Sequence, residues 1–247
     1  MSDGFFGEEI AATYDAATSG MYDQSVIDCV VDVLAEFAGD GTALEFGIGT
    51  GRIAIPLARR GVEVHGIDMS KAMVKRLHAK PGGAEIDVTI GDFADTRVPG
   101  EFSLTYLVFN TIGNLTTQDA QVACFINAAE HLQPGGSFVV EVGVPALRLL
   151  PPGQRAVPFD VGDECWAYDL YDCATQEMSS NYVDEIDGRA QLHSIPFRYV
   201  WPSELDLMAR IAGMALVERW EDWDRKPFEH ESTRHVSVWR KNDVSST

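Results

Sequence analysis

Glycine stands at positions 47, 49 and 51, with Glu45 two residues before the first and Arg52 directly after the last. Asp68 closes the segment Val62-Glu63-Val64-His65-Gly66-Ile67-Asp68, and Gly91-Asp92-Phe93 closes a third apolar run. Each group has a definite chemical use. A glycine turn brings backbone close to a ligand, because it has no Cβ and accepts positive φ. A helix starting behind it offers unpaired N–H groups. A carboxylate at the tip of the next strand accepts hydrogen bonds from two ribose hydroxyls. At Asp92-Phe93 a carboxylate can meet an exocyclic amine while the ring covers a base face. Glu45 narrows the ligand further, since its charge repels a pyrophosphate but favours an ammonium or sulfonium, directly or through water. The spacing is G-x-G-x-G; Arg52 occupies the place where the dinucleotide fingerprint G-x-G-x-x-G requires its third glycine.

Strand and helix patterns alternate around these residues. Strands are expected at about 42–46, 62–67, 86–90, 103–109 and 137–143, and helices at about 51–60, 70–79 and 118–132. Such alternation builds right-handed crossovers and a parallel sheet covered on both faces. Ser70 can cap the second of these helices, and Thr117 with Asp119 and Gln121 can begin the third. Pro134-Gly135-Gly136 stops the third and leads into the fifth strand. Ahead of the first strand, apolar residues at helical spacing make 24–38 an amphipathic helix ended by Gly39-Asp40-Gly41, and residues 1–22 hold a short helix and loop packing back over the domain.

After about residue 144 the texture changes to a Pro/Gly-rich passage. Antiparallel strands then follow at about 164–173, 177–186 and 190–200, the last two joined by a hairpin turn at Asp187-Gly188. A helix at 203–212, capped by Ser203 with Leu205, Leu207, Met208 and Ile211 inward, precedes strands at about 215–222 and 234–240 and a disordered end from Asn242. Three regions result: 1–143, an N-terminal lid and ligand-binding core; 144–200, an antiparallel β addition; and 201–247, a helix and strands completing the core sheet.

The 247 residues carry 38 acids against 19 lysines and arginines, a formal net charge of −19. That balance argues against a nucleic-acid partner, whose binding draws on clustered basic residues. No apolar run approaches the roughly 18 residues that cross a bilayer, and no signal peptide is evident at Met1, so no membrane partner and a cytoplasmic location are expected. Cys29, Cys124, Cys165 and Cys173 lack metal or redox spacing and read as free buried thiols. Asp160, Asp163 and Glu164 read as solvated acids, so no metal is expected. His193, His230 and His235 read as structural or solvated. The aromatic group Trp166, Tyr168, Tyr171, Tyr199 and Trp201 either packs the strands or lines an acceptor pocket.

Glu45-x-Gly47-x-Gly49-x-Gly51, Gly66-Ile67-Asp68-x-Ser70, Gly91-Asp92-Phe93 and Leu132-Gln133-Pro134-Gly135-Gly136 together resemble the successive motifs of class I S-adenosylmethionine-dependent methyltransferases. The resemblance spans roughly residues 10–143. It implies a Rossmann-like, doubly wound, seven-stranded sheet, mostly parallel with an antiparallel strand near the C-terminus. The β addition after the fifth strand is similar to that of small-molecule methyltransferases that dimethylate amino sugars. By the same resemblance the glycine turn holds the methionine part of the cofactor, Asp68 the ribose, Met69 one adenine face, and Asp92 with Phe93 the adenine edge. Asn110-Thr111-Ile112-Gly113-Asn114 would lie beside the sulfonium and the acceptor, and Tyr14-Asp15 in a segment that closes over the cofactor. Tyr14 and Asn110 are therefore the candidate catalytic positions. The Asn/Asp-Pro-Pro-aromatic run of nucleobase methyltransferases is absent after the fourth strand.

A sulfonium methyl needs no acid at its leaving group, so the protein supplies position and a dry pocket. The acceptor must present a lone pair in line, and no residue offers itself as general base. An amine is thereby favoured over a hydroxyl. A non-catalytic domain binding the same cofactor or its product, and a nicotinamide-dependent oxidoreductase, stand as alternatives. A homodimer is left open.

Overall fold

Ala43–Phe46 forms β1, and all four residues are buried. A strand covered on both faces reads as a continuous apolar run rather than an alternation. The computed structural model describes residues 6–17, 23–162, 165–186 and 189–242. It sets β1 between β2 (Val64–Asp68) and β4 (Phe102–Leu107), with β3 (Asp87–Ile90) beyond β2 and β5 (Leu132–Gly143) beyond β4, all four neighbouring pairs parallel. β10 (Met214–Trp220) and β11 (Arg234–Lys241) complete the sheet in the order β10-β11-β5-β4-β1-β2-β3, and β11 runs antiparallel to both its neighbours. The expected seven-stranded, mostly parallel sheet is the one found.

Helices cover both faces. α2 (Gln24–Ala38) and α3 (Ala54–Arg59) pack on one face against Leu104, Tyr106 and Val139, while α5 (Gln118–His131) and α6 (Pro202–Ile211) cover Phe46, Leu107 and Phe138 on the other. α4 (Lys71–Ala79) begins as its sequence dictates, with the Ser70 hydroxyl accepting from the Met73 N–H at 3.1 Å. Thr117 does the same for α5 through the Ala120 N–H. α1 (Glu8–Ala17) lies across α4, with Ala11 buried against Ala72 and Met73.

Several expectations are corrected. α6 has no side-chain cap from Ser203; Pro202 opens it, its fixed φ suiting the first turn where its missing N–H has no partner to lose. Its buried stripe is Leu205, Met208 and Ala209, whereas Leu207 and Ile211 are 53% and 64% exposed. Residues 207 and 211 share one helix face, and that face points away from the stripe. β5 begins at Leu132 rather than after the glycines, because Pro134-Gly135-Gly136 is absorbed as an irregularity in its pairing with β4. Of the cysteines whose side chains are described, only Cys124 is buried; Cys29 and Cys173 are exposed.

A second sheet follows β5, in the order β6 (Ala156–Val161), β7 (Cys165–Tyr171), β8 (Glu177–Ile186) and β9 (Arg189–Arg198), all antiparallel. β6 falls in the Pro/Gly-rich passage and was not expected. Pro158 is tolerated because β6 is an edge strand, where a missing N–H breaks no ladder. Ile186 pairs with Arg189, while Asp187 and Gly188 lie outside the described residues. So do Asp163, Glu164 and the chain beyond Asn242, whose own N–H bonds Gly213. No described helix is long and apolar enough to cross a membrane.

Candidate active site

The glycine turn leaves the C-terminal end of β1 with φ of +69° at Gly47, +55° at Gly49 and +76° at Gly51. Asp68, at the tip of β2, ties the turn down. Its Oδ2 accepts from the Gly49 N–H at 2.7 Å and its Oδ1 from the Ser70 N–H at 2.8 Å. Each oxygen keeps a second lone pair, so two acceptor sites remain. Burial raises the Asp68 pKa, and the two N–H groups oppose that rise. Glycine is needed at 47 for a second reason: a Cβ there would stand 2.7 Å from Cγ2 of Thr111.

A cleft of about 320 Å³ opens above the turn. Its lining includes Gly47, Gly49, Asp68, Met69, Asp92 and Phe93 from the tips of β1 to β3, and Thr111, Asn114, Leu115, Thr116, Ile195 and Pro196 from the segment after β4 and from β9, with Thr111 standing against Gly47. Asp92 caps its own turn through the Ala94 N–H at 2.8 Å, and the Phe93 ring stacks near Phe46. A smaller recess of about 40 Å³ continues past the turn, bordered by Glu45, Arg52 and Phe109, and shares Tyr14, Gly47, Gly49 and Thr111 with the cleft.

Glu45 is only 3% exposed and accepts from the Tyr106 hydroxyl at 2.8 Å. Burial pushes its carboxyl up to about 8, although Tyr106 and Arg52 pull the other way. Arg52, whose guanidinium lies over the Phe109 ring, sets a positive charge beside this carboxyl. The recess thus pairs the Arg52 cation with a carboxyl that burial keeps protonated at neutral pH and that an entering ammonium would ionise, an arrangement that suits a zwitterion, an ammonium with a carboxylate.

Phe6, just before α1, and Tyr14, within it, border the cleft. The Ser70 hydroxyl donates to the Phe6 carbonyl, Thr50 donates to Asp15 at 2.6 Å, and Lys80 reaches both Asp15 (2.7 Å) and the Thr50 carbonyl (2.8 Å). Burial raises the Tyr14 pKa, with Arg52 opposing, so its hydroxyl stays protonated.

Two predicted positions fall elsewhere. Asn110 is exposed and lines neither cavity; its Oδ1 accepts from the Gly143 N–H at 2.5 Å. Phe109 and Asn110 both adopt φ near +58°, which turns the Asn110 side chain toward β5 and presents the next residue, Thr111, to the cleft. The Phe109 N–H is held by Glu141 at 3.2 Å. Gly51 also lies outside both linings, its missing Cβ making room for Leu77 and Ile55. The aromatic group of the second sheet does not reach the cleft: Tyr171 and Tyr199 pack on Val157, and Trp166 is 58% exposed. His235 is buried, hydrogen-bonded to Ser237, and pushed down to about 3 by burial and by Arg219.

Phe6, Arg52, Ile195 and Pro196 border the cavities although sequence reasoning assigned them no site role, whereas Thr111 and Asn114 belong to the 110–114 run expected beside the acceptor and do line the cleft. Arg52 had a signal, its place beside the glycines, yet it was read only as a missing glycine. Together, the positive-φ turn, the spare lone pairs of Asp68, the Asp92-Phe93 pair and the recess that sets Glu45 beside Arg52 fit a nucleoside joined to an amino acid. S-adenosylmethionine has that constitution.

A methyltransferase-domain family profile matches residues 43–136. An uncharacterised methyltransferase of Geobacillus kaustophilus is 31% identical over 193 residues, which cover 76% of this chain and 84% of the relative. The dTDP-3-amino-3,4,6-trideoxy-α-D-glucopyranose N,N-dimethyltransferase of Streptomyces venezuelae is 31% identical over 98 residues, 40% of each chain. The structure of the CcbJ methyltransferase from Streptomyces caelestis superimposes with a TM-score of 0.83 and 34% identity, covering 98% of this chain and all of the other. With its sheet order, its cofactor cleft and this similarity along nearly its whole length, the chain belongs to the class I S-adenosylmethionine-dependent methyltransferases.

Proposed function

We propose that this enzyme methylates the nitrogen of a small-molecule amine held between residues 111–116 and β9. The observation that carries the reading is the chemistry of that end of the cleft. Its lining, Thr111, Asn114, Leu115, Thr116, Ile195 and Pro196, is neutral throughout and contains no group able to take a proton from a hydroxyl at neutral pH. An acceptor there must bring its own lone pair, as a neutral amine does. The amino-sugar substrate in the name of the Streptomyces venezuelae relative supports the same class.

S-adenosylmethionine, when bound, supplies a methyl group already activated toward in-line displacement. The chain's residues orient and exclude water. In this reading the spare lone pairs of Asp68 accept from the ribose, Asp92 meets the adenine amine, and Phe93 and Met69 cover the adenine faces. Glu45 and Arg52 receive the ammonium and carboxylate of the amino-acid end beside the glycine turn. Tyr14, a neutral phenol on the lid side of both cavities, directs its hydroxyl polarity toward the reacting end and covers the site from water. Asn110 acts at one remove, holding its turn on Gly143 so that Thr111 faces the cleft.

The test is transfer of radiolabelled methyl to a panel of amino-sugar nucleotides, simple primary and secondary amines, and phenols. Labelled amine product supports the proposal; label on phenols alone overturns it.

A further inference from the structure

Behind the acceptor end of the cleft lies a polar cluster that the reaction does not use. Gln121 of α5 is fully buried, and Arg198, at the end of β9, is 4% exposed. The Gln121 amide Nε2 donates to two carbonyls, that of Ile112 at 3.2 Å and that of Arg198 at 3.1 Å. One amide therefore bridges the turn that carries Thr111 and Asn114 and the strand that carries Ile195 and Pro196, the two walls of the acceptor end. The same side chain closes the loop: its Oε1 accepts from Nη1 of Arg198. The other guanidinium nitrogen, Nη2, donates to Gln176 at 3.0 Å and to Glu204 of α6 at 2.8 Å. Glu204 is held in turn by Gln118 and Gln176.

A buried ion pair is weak evidence for stability, since apolar residues of the same volume would fill the space as well. What a planar guanidinium and a planar amide add is direction. Each fixes its partners at set angles, which neither a lysine nor a methionine reproduces. The walls are also in close contact here. A Cβ on Gly113, in the turn, would stand 3.4 Å from the Phe197 ring and 3.5 Å from the Arg198 carbonyl. The bridge therefore acts on two walls that already touch.

We propose that Gln121 and Arg198 are positioning residues that set the spacing of the acceptor-pocket walls, and with it selectivity among amines, with a much smaller effect on the cofactor half of the cleft, which these walls border through Thr111. The proposal rests on the reading that the acceptor sits between these walls.

The experiment compares wild-type chain with Gln121→Met and, should that variant not fold, Arg198→Lys, which keeps a cation opposite Glu204 but loses the fork. Calorimetry with S-adenosylhomocysteine reads the cofactor half, and hydrogen exchange reads residues 111–116 and 189–198 against 43–51. The probes for turnover are dTDP-3-amino-3,4,6-trideoxy-α-D-glucopyranose and D-glucosamine. Expected are an S-adenosylhomocysteine Kd within twofold of wild type, exchange at least tenfold faster in both walls and unchanged in 43–51, and a tenfold or greater rise in KM for the amine with KM for S-adenosylmethionine unchanged. Exchange that stays at the wild-type rate in both walls overturns the proposal, as does an S-adenosylhomocysteine affinity that falls in step with the amine's. If wild type methylates neither probe, the amine-acceptor reading loses its support, and the exchange arm alone decides whether the bridge sets the walls.

Discussion

Replacing Asp68 by asparagine removes a charge while keeping the side chain's shape, and the structure sets the size of the effect. The carboxylate accepts from the Gly49 N–H at 2.7 Å and the Ser70 N–H at 2.8 Å, one on each oxygen. An amide has a single acceptor oxygen, so one of these N–H groups would face an NH₂ and lose its partner. Leaving one such group unsatisfied costs about 1–3 kcal/mol, which lowers Tm by several degrees in a domain of this size. The larger loss falls on the ligand. Two ribose hydroxyls donating to a carboxylate gain about 1.5–3 kcal/mol each, and the amide retains at most one neutral acceptor for them. A net loss of about 3 kcal/mol corresponds to a Kd for S-adenosylhomocysteine weaker by about 100-fold. Calorimetry on the folded variant, with a thermal melt as control, reads both quantities. An affinity within threefold of wild type would remove Asp68 from the cofactor site.

Gly47→Ala forces a Cβ onto a residue at φ +69° and against Thr111 Cγ2, so cofactor affinity should fall; adding Thr111→Ser removes that methyl and should restore part of the loss, and failure to restore any would detach the clash from the effect. Glu45 offers a pH signature. Its pKa of about 8 lies above the free value, so it is protonated at neutral pH, and an entering ammonium requires it ionised. Cofactor affinity should thus rise about tenfold from pH 6 to 7, about fivefold more from 7 to 8, and level about one unit above 8, a slope that Glu45→Gln abolishes in calorimetry across the same range. Lys80→Met cuts the tie from α4's end to Asp15 on α1, a partly exposed pair. Worth about 1 kcal/mol, its loss should speed S-adenosylhomocysteine release about fivefold in stopped-flow traces, and an unchanged rate would mean that α1 does not gate exit.

The half of the candidate site proposed to hold the cofactor could be outlined from the sequence because it is local. Glycines at 47 and 49, Asp68, and Asp92-Phe93 each sit at the tip of a strand, and a parallel sheet brings successive strand tips to one edge whatever the loops between them do. The acceptor half depends on how a second sheet docks. Ile195 and Pro196 border the cleft on a strand whose end is tied down by Gln121, far away in the sequence, through the Arg198 carbonyl, and no periodicity announces such a pairing. Asn110 shows the limit within a motif. Its position in the chain is adjacent to the site, but a positive φ turns its side chain toward Gly143. β6 was hidden by Pro158, which reads as a break although an edge strand accepts it, and the inward face of α6, itself expected at 203–212, was blurred by Leu207 and Ile211 on its outer face. The nicotinamide alternative, weakened already by Arg52, falls with the family assignment.

The measurement that bears most directly on the account is methyl transfer from radiolabelled S-adenosylmethionine across the amine and phenol panel, run beside equilibrium binding of S-adenosylhomocysteine. The account predicts tight S-adenosylhomocysteine binding and label incorporated at the nitrogen of at least one small amine, with phenols unlabelled. Tight binding accompanied by label on phenols alone, or by none across amines of every class in the panel, would contradict it.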